Sequence, residues 1–180
     1  MSATTLDNLM AAFNGESNAH ARYIAFAKKA DEEGYGQVAS LFRAASRAEE
    51  IHAANHAKAI EQMGDIPQAT IESTIPKSTA ENLKEAIAGE TYEKDVMYPQ
   101  FIEQATTENE RNALRTFTYA MKAEIEHAAL YQEALDHLAD WKDGKKDFFV
   151  CPICGKTVTQ IDAARCDVCL TPTTKFEKVS

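Results

Sequence analysis

Glutamates fall on core-facing positions in four amphipathic stretches of this 180-residue chain. The first stripe runs Leu6, Leu9, Phe13, Glu16, His20, Tyr23, Ala27, with alternating steps of three and four that mark one face of a helix. The second runs Val38, Leu41, Ala45, Glu49, His52, Ala59, Met63 and stops at Gly64. The third runs Leu83, Ile87, Glu90, Met97, Phe101, and the fourth Phe117, Ala120, Glu124, His127, Tyr131, Ala134, Leu138. An unpaired buried carboxylate costs at least several kcal/mol. Four in one core fold only if positive charge lies among them, and two metal ions meet that need.

The halves of this region repeat. Gly15-Glu16 returns as Gly89-Glu90, 74 residues on, and Ala48-Glu49-x-x-His52 returns as Ala123-Glu124-x-x-His127, 75 residues on. One Glu from each of two helices and Glu-x-x-His from each of the other two is the di-metal carboxylate pattern. Residues three apart on a helix point the same way, so each Glu-His pair grips an ion from two sides. Oxygen and imidazole donors in this number suit iron or manganese better than structural zinc. Glu93, one turn beyond Glu90, adds a fifth acid whose counterpart in the first helix is Ala19. His56 is expected at the surface, His20 in the polar surroundings of the site, and His137 at a helix end; none of the three is taken as a ligand. Tyr23 and Tyr98 stand two turns from Glu16 and Glu90. Each either meets a metal-bound oxygen species or is a core aromatic with a satisfied hydroxyl. Pro99 interrupts the third helix beside Tyr98 and shapes the site there.

The expected fold is all-α. Its four long helices, each roughly 40 Å, form a bundle with a long crossover, residues 65–77, between helices 2 and 3. Ser78-x-x-Glu81 reads as a capping box starting helix 3. The bundle spans 1–140, a polar linker 141–147, and a small domain 148–180. That last segment is too short to fold without help. Cys151-Pro-Ile-Cys154-Gly and Cys166-Asp-Val-Cys169 form two knuckles with the spacing of a tetrahedral four-thiolate site, for zinc or one iron.

Composition narrows the function. The formal charge of −9 argues against nucleic acid or an anionic membrane as partner. No apolar run is long enough to span a bilayer. The N-terminal residues lack a basic region followed by an apolar run, and four clustered cysteines suit metal in a reducing compartment, so a cytoplasmic protein is expected. No Gly-x-Gly-x-x-Gly motif for a nucleotide is present.

The combination resembles the rubrerythrin family over nearly the whole chain. The matching segments are Gly-Glu16-Ser-Asn-Ala, Glu49-x-x-His52, Ala-Gly-Glu90-Thr-Tyr-Glu93, Met97-Tyr98-Pro99-Gln-Phe101, Glu124-x-x-His127, and Cys166-x-x-Cys169-Leu-Thr-Pro172 with its following residues. The resemblance implies a ferritin-like di-iron bundle and a rubredoxin-like domain whose Cys151, Cys154, Cys166 and Cys169 hold iron, with zinc the other option. It implies that Glu49 and Glu124 bridge two irons, that Glu16 and Glu93 serve one and Glu90 and His127 the other, and that His52 exchanges with Glu93. Tyr23 and Tyr98 match the family's tyrosines near the metals. The implied activity is reduction of hydrogen peroxide to water, with electrons arriving one at a time through the cysteine site from rubredoxin or an NAD(P)H-linked reductase. The implied assembly is a homodimer in which one chain's cysteine site approaches the other's di-iron site. Two other readings are an iron-handling ferroxidase and a non-catalytic redox or metal sensor with a zinc-ribbon tail. The absence of Gly after Cys169 departs from many free rubredoxins.

Overall fold

Each half of the bundle opens on a capping box. The Thr4 hydroxyl accepts from the Asp7 N–H at 3.2 Å and Asp7 accepts from the Thr4 N–H at 2.8 Å, starting α1 (Thr5–Glu32). Ser78 and Glu81 make the same reciprocal pair at the start of α3 (Thr79–Tyr92), as the sequence predicts. These positions come from a computed structural model that describes residues 3–180; Met1 and Ser2, included in the expected bundle range, lie outside the described residues.

After α1 the chain turns at Gly34 and folds back as α2 (Gly36–Gln62). The crossover that follows is extended over residues 65–78 and is held to α1 by two asparagines one turn apart. Asn14 Oδ1 accepts from the Thr70 N–H at 2.9 Å, and Asn18 Oδ1 from the Glu72 N–H at 2.8 Å. These bonds satisfy backbone groups that have no ladder of their own. At the far end, the Glu33 carboxylate accepts from both the N–H and the hydroxyl of Thr79, tying the end of α1 to the start of α3.

The third predicted helix is not one continuous rod. It is α3, then a π-helical turn at Glu93–Met97, then α4 (Tyr98–Thr107). Pro99 has no N–H to give to a carbonyl one turn back, and the Tyr98 N–H reaches five residues back to Glu93. A π turn contains one residue more than an α turn. This explains the repeat: Glu16 and Glu90 are 74 apart, whereas Tyr23 and Tyr98, on the other side of the insertion, are 75 apart.

The last bundle helix, α5 (Arg111–Asp136), leads through a 3₁₀ turn at Leu138–Trp141 into a small antiparallel sheet. Its strands are β1 (Phe148–Val150), β2 (Thr157–Val158) and β3 (Glu177–Val179), in the order β2-β1-β3, with Phe149 opposite Val158 and Lys178. Trp141, expected in a polar linker, is buried; it stacks on Phe148 and carries Lys146 over its face at 4.0 Å. Phe148 and Val150 join Phe26, Phe42 and Leu41 in one apolar cluster, so the sheet is packed onto the bundle. Arg47 on α2 reinforces this with two hydrogen bonds to Glu177 on β3, at 2.7 and 3.0 Å.

That cluster fills one end of the bundle. A second, around Leu9, Ile60, Tyr98, Ala105 and Phe117, fills the other. Every glutamate of the four stripes lies between them, so the core is two hydrocarbon blocks separated by a charged layer.

Candidate metal centre

Glu16 from α1, Glu49 and His52 from α2, Glu90 from α3, and Glu124 and His127 from α5 converge in that layer, each no more than 1% exposed. Their donor atoms form two groups, Glu16–Glu49–His52–Glu124 and Glu49–Glu90–Glu124–His127, each with its atoms within 4.8 Å of one another. Glu49 and Glu124 belong to both. His52 Nδ1 lies 2.9 Å from Glu49 and 3.0 Å from Glu124; His127 Nδ1 lies 2.8 Å from Glu124. Two adjacent cation positions sharing two carboxylates follow from this arrangement.

The donor set fits such cations. Glu16 Oε2, Glu49 Oε1, Glu90 Oε2 and Glu124 Oε1 are buried with no hydrogen-bond partner among the described residues. One orphaned oxygen on each of four carboxylates is costly unless a metal takes the lone pairs. Electrostatics agree. Burial, with Glu124 and Glu16 beside it, pushes Glu49 up to about 7. Burial and the Glu124 and Glu49 charges push Glu90 well up too. Burial opposes charge on His127 as well, but the carboxylates of Glu124 and Glu49 outweigh it and raise the ring to about 9. The protein alone retains protons there to offset charge, and metal ions replace that need.

Both imidazoles are oriented from outside. His52 Nε2 lies 3.1 Å from the Cys154 carbonyl oxygen and His127 Nε2 lies 3.1 Å from Thr157 Oγ1. The Thr157 hydroxyl donates to the Gly155 carbonyl, so it accepts from His127. Each ring therefore keeps a proton on Nε2, and where a metal takes the place of the proton at Nδ1 the ring is left in the tautomer a metal ligand requires.

Tyr23 donates to Glu90 Oε1 at 2.7 Å, and Tyr98 donates to Glu16 Oε1. Glu93 lies outside both groups, partly buried on the π turn, where His52 is the fourth member of the first group instead. His20 bonds through Nδ1 to the Ser46 carbonyl, joining α1 to α2, and His137 follows the last residue of α5. The surface position expected for His56 is wrong. It is fully buried one turn beyond His52, bonded to Tyr98 Oη and to Thr116 Oγ1, each at 3.0 Å. Burial lowers its pKa. The four-residue step from His52 to His56 carries the signal that it shares the inner face.

The four cysteines are unpaired and gather at one point. Sγ–Sγ distances of 3.5 Å (Cys151–Cys169) and 3.6 Å (Cys154–Cys166) are close to the edge of about 3.8 Å that a tetrahedron gives for metal–sulfur bonds of about 2.3 Å. Each knuckle closes with a residue in the left-handed region, Gly155 at φ 77° and Leu170 at φ 63°. Gly155 has a second constraint: a Cβ there would overlap His52 Nε2. The first knuckle is docked on the bundle, with Asn55 also donating to the Ile153 carbonyl at 2.9 Å. Within this chain the cysteine site therefore lies against its own bundle site.

A family profile described as Rubrerythrin matches residues 7–135. The chain belongs to the rubrerythrin family. It is 37% identical to rubrerythrin-2 of Clostridium acetobutylicum over 97% of this chain and 96% of that protein. It is 40% identical to nigerythrin of Nitratidesulfovibrio vulgaris over 96% of this chain and 85% of that protein. The solved structure titled as the fully reduced, all-ferrous state of nigerythrin superposes with a TM-score of 0.91 at 38% identity, covering 99% of this chain and 88% of that one. A Desulfovibrio desulfuricans bacterioferritin shares the bundle fold, with a TM-score of 0.70 at 20% identity over 76% of this chain and 80% of that one. As a rubrerythrin-family member the chain is a di-iron oxidoreductase, with a carboxylate–histidine di-iron site and a four-cysteine site for one iron or zinc. No helix among the described residues is long and apolar enough to cross a membrane.

Proposed function

We propose that this protein reduces hydrogen peroxide to water at the bundle site and receives its electrons, one at a time, through iron at the cysteine site. The observation that carries this reading is the bond between His52 Nε2 and the carbonyl of Cys154, which joins a residue of one donor set directly to a residue of the other. A storage bundle or a partner-binding tail has no need of that link.

In this reading Glu49 and Glu124, which belong to both donor groups, would be shared by two irons, with Glu16 and His52 completing one set and Glu90 and His127 the other. Glu93, on the π turn and outside both donor groups, would be the residue able to take the place of His52 as a ligand. When bound, the irons supply Lewis acidity and the two electrons that cleave the O–O bond. The chain's residues do the rest. Two apolar blocks keep bulk water from the charged layer. Tyr98 and Tyr23 hold hydroxyl protons against Glu16 and Glu90, beside the place where oxygen atoms gain charge. Cys154 and Thr157 keep the two imidazoles in one tautomer. The balance is one peroxide, two electrons and two protons to two waters. The electron donor is an external rubredoxin or NAD(P)H-linked reductase, the setting is the reducing cytoplasm, and the assembly is a homodimer.

The test is anaerobic mixing of the fully reduced, iron-loaded protein with peroxide. Rapid oxidation of the di-iron site at one peroxide per two electrons, with no hydroxyl radical trapped, is expected. Slow oxidation, together with a 24-subunit shell by light scattering, would replace this reading with the ferroxidase one.

A further inference from the structure

His56 belongs to a hydrogen-bond chain with an unambiguous direction. Tyr98 Oη gives its only proton to Glu16, so it can only accept from His56 Nε2, 3.0 Å away. His56 must then carry its proton on Nε2, leaving Nδ1 to accept from the Thr116 hydroxyl at 3.0 Å. Thr116 is also buried, and its outer side borders a surface cleft with Asn55, Arg115 and Ile153. The chain Thr116–His56–Tyr98–Glu16 joins α5, α2, α4 and α1.

The repeat shows that this support is one-sided. Tyr23 is the counterpart of Tyr98 and donates to Glu90 in the same way. Seventy-five residues from His56 stands Tyr131, and the same distance from Thr116 stands Leu41. Tyr131 packs its ring on Tyr23 with centroids 5.6 Å apart, and its hydroxyl has no hydrogen-bond partner among the described residues. Both tyrosines pack on aromatic rings, but among the described residues only Tyr98 has a donor, His56, at its hydroxyl oxygen.

We propose that His56 is a positioning residue, which with Thr116 fixes the Tyr98 hydroxyl as a donor to Glu16 and so makes the Glu16 side of the centre different from the Glu90 side. A hydroxyl whose oxygen is held by one donor has its remaining direction set, and its own proton is polarised by the bond it accepts. Without the imidazole, Tyr98 is free to turn, and Glu16 loses a buried donor.

The inference rests on the peroxidase reading only for its kinetic arm. The first test is nitrogen-15 NMR of the imidazoles in the full chain loaded with diamagnetic zinc, with His56→Gln identifying the signal. A ring protonated on Nε2 and accepting at Nδ1 is expected; protonation on Nδ1 reverses the chain and overturns the proposal whatever the enzyme does. The second is the rate of peroxide oxidation of the reduced iron form. His56→Leu should slow it by about tenfold or more, the scale of lost support around a metal site. His56→Gln, whose amide both donates and accepts, should restore most of the rate, and Thr116→Val should fall between them, all at unchanged iron content. Equal rates in His56→Leu and wild type, or no advantage of Gln over Leu, would overturn the role. If wild type fails to react with peroxide, the function reading falls and the NMR result still decides the orientation of Tyr98.

Discussion

The imidazole Nε2 of His52 and the carbonyl oxygen of Cys154 are 3.1 Å apart, and Gly155 leaves no room for a side chain beside them. One side-chain-to-backbone hydrogen bond thus orients the His52 ring, docks the cysteine knuckle and joins the two donor sets. Gly155→Ala tests all three. The added methyl meets His52, and φ at 77° disfavours any Cβ. We expect a stability loss of about 1–3 kcal/mol in denaturant titration and slower reduction of the di-iron site by the pre-reduced cysteine iron. Unchanged inter-site transfer in stopped-flow spectra would show that electrons travel elsewhere.

Cys169 is the one cysteine of the four with partial exposure, and the hydrogen bonds that tie the cysteine site to α2 come from the other knuckle. Cys169→Ser should end steady-state turnover driven by NAD(P)H through an external reductase. It should leave intact a single oxidation of chemically pre-reduced di-iron by peroxide. Steady turnover in this variant would remove the cysteine site from the electron route.

Glu93 stands apart from both donor groups while burial and the nearby Glu16 and Glu124 charges push its carboxyl well up. Its removal costs the present arrangement no group member. Glu93→Ala should therefore fold and load iron normally, with circular dichroism and iron content unchanged. Cycling between oxidation states should slow by about tenfold or more, as expected where a metal's environment loses a carboxylate. Wild-type turnover would leave Glu93 a partly buried acid with no part in the reaction.

The bundle and its acidic layer were legible because both are periodic. Steps of three and four place Glu16, Glu49, Glu90 and Glu124 on inner faces, and a buried charge needs a partner wherever the helices cross. The change from 74 to 75 between repeats also contained the π turn, since an extra residue between Glu90 and Tyr98 has to be absorbed somewhere. His56 escaped because its place in the repeat is taken by Tyr131 and its partners, Tyr98 and Thr116, are on other helices. Trp141 escaped because its neighbours in sequence are charged, while its stacking partner Phe148 lies beyond them. The docking of Cys154 on His52 depends on how two units meet, and no spacing within either unit records it.

Removing the metals should invert the pH dependence of stability. A group whose folded pKa lies above its unfolded value stabilises the fold while protonated, and that contribution is lost as pH rises between the two values. For Glu49 the window runs from 4.5 to about 7, and for His127 from 6.5 to about 9. Glu90, Glu93 and His52 move in the same direction. Burial alone would raise Glu16 and Glu124 too, but neighbouring histidines hold them below the ordinary value; their contribution is present above 4.5 and lost only in acid, below this window. His56, lowered by burial, works the other way and adds stability as pH rises toward 6.5. The five raised groups outnumber it between about 4.5 and 9, and the chelated protein should melt at lower temperature as pH rises across that range. Metal-loaded protein should do the opposite across the lower part of that range, because binding requires the carboxylates to be deprotonated. Calorimetry of chelated and iron-reloaded samples across the range checks both slopes. A chelated protein that gains stability with rising pH would mean that the inward carboxylates are not what the metals neutralise.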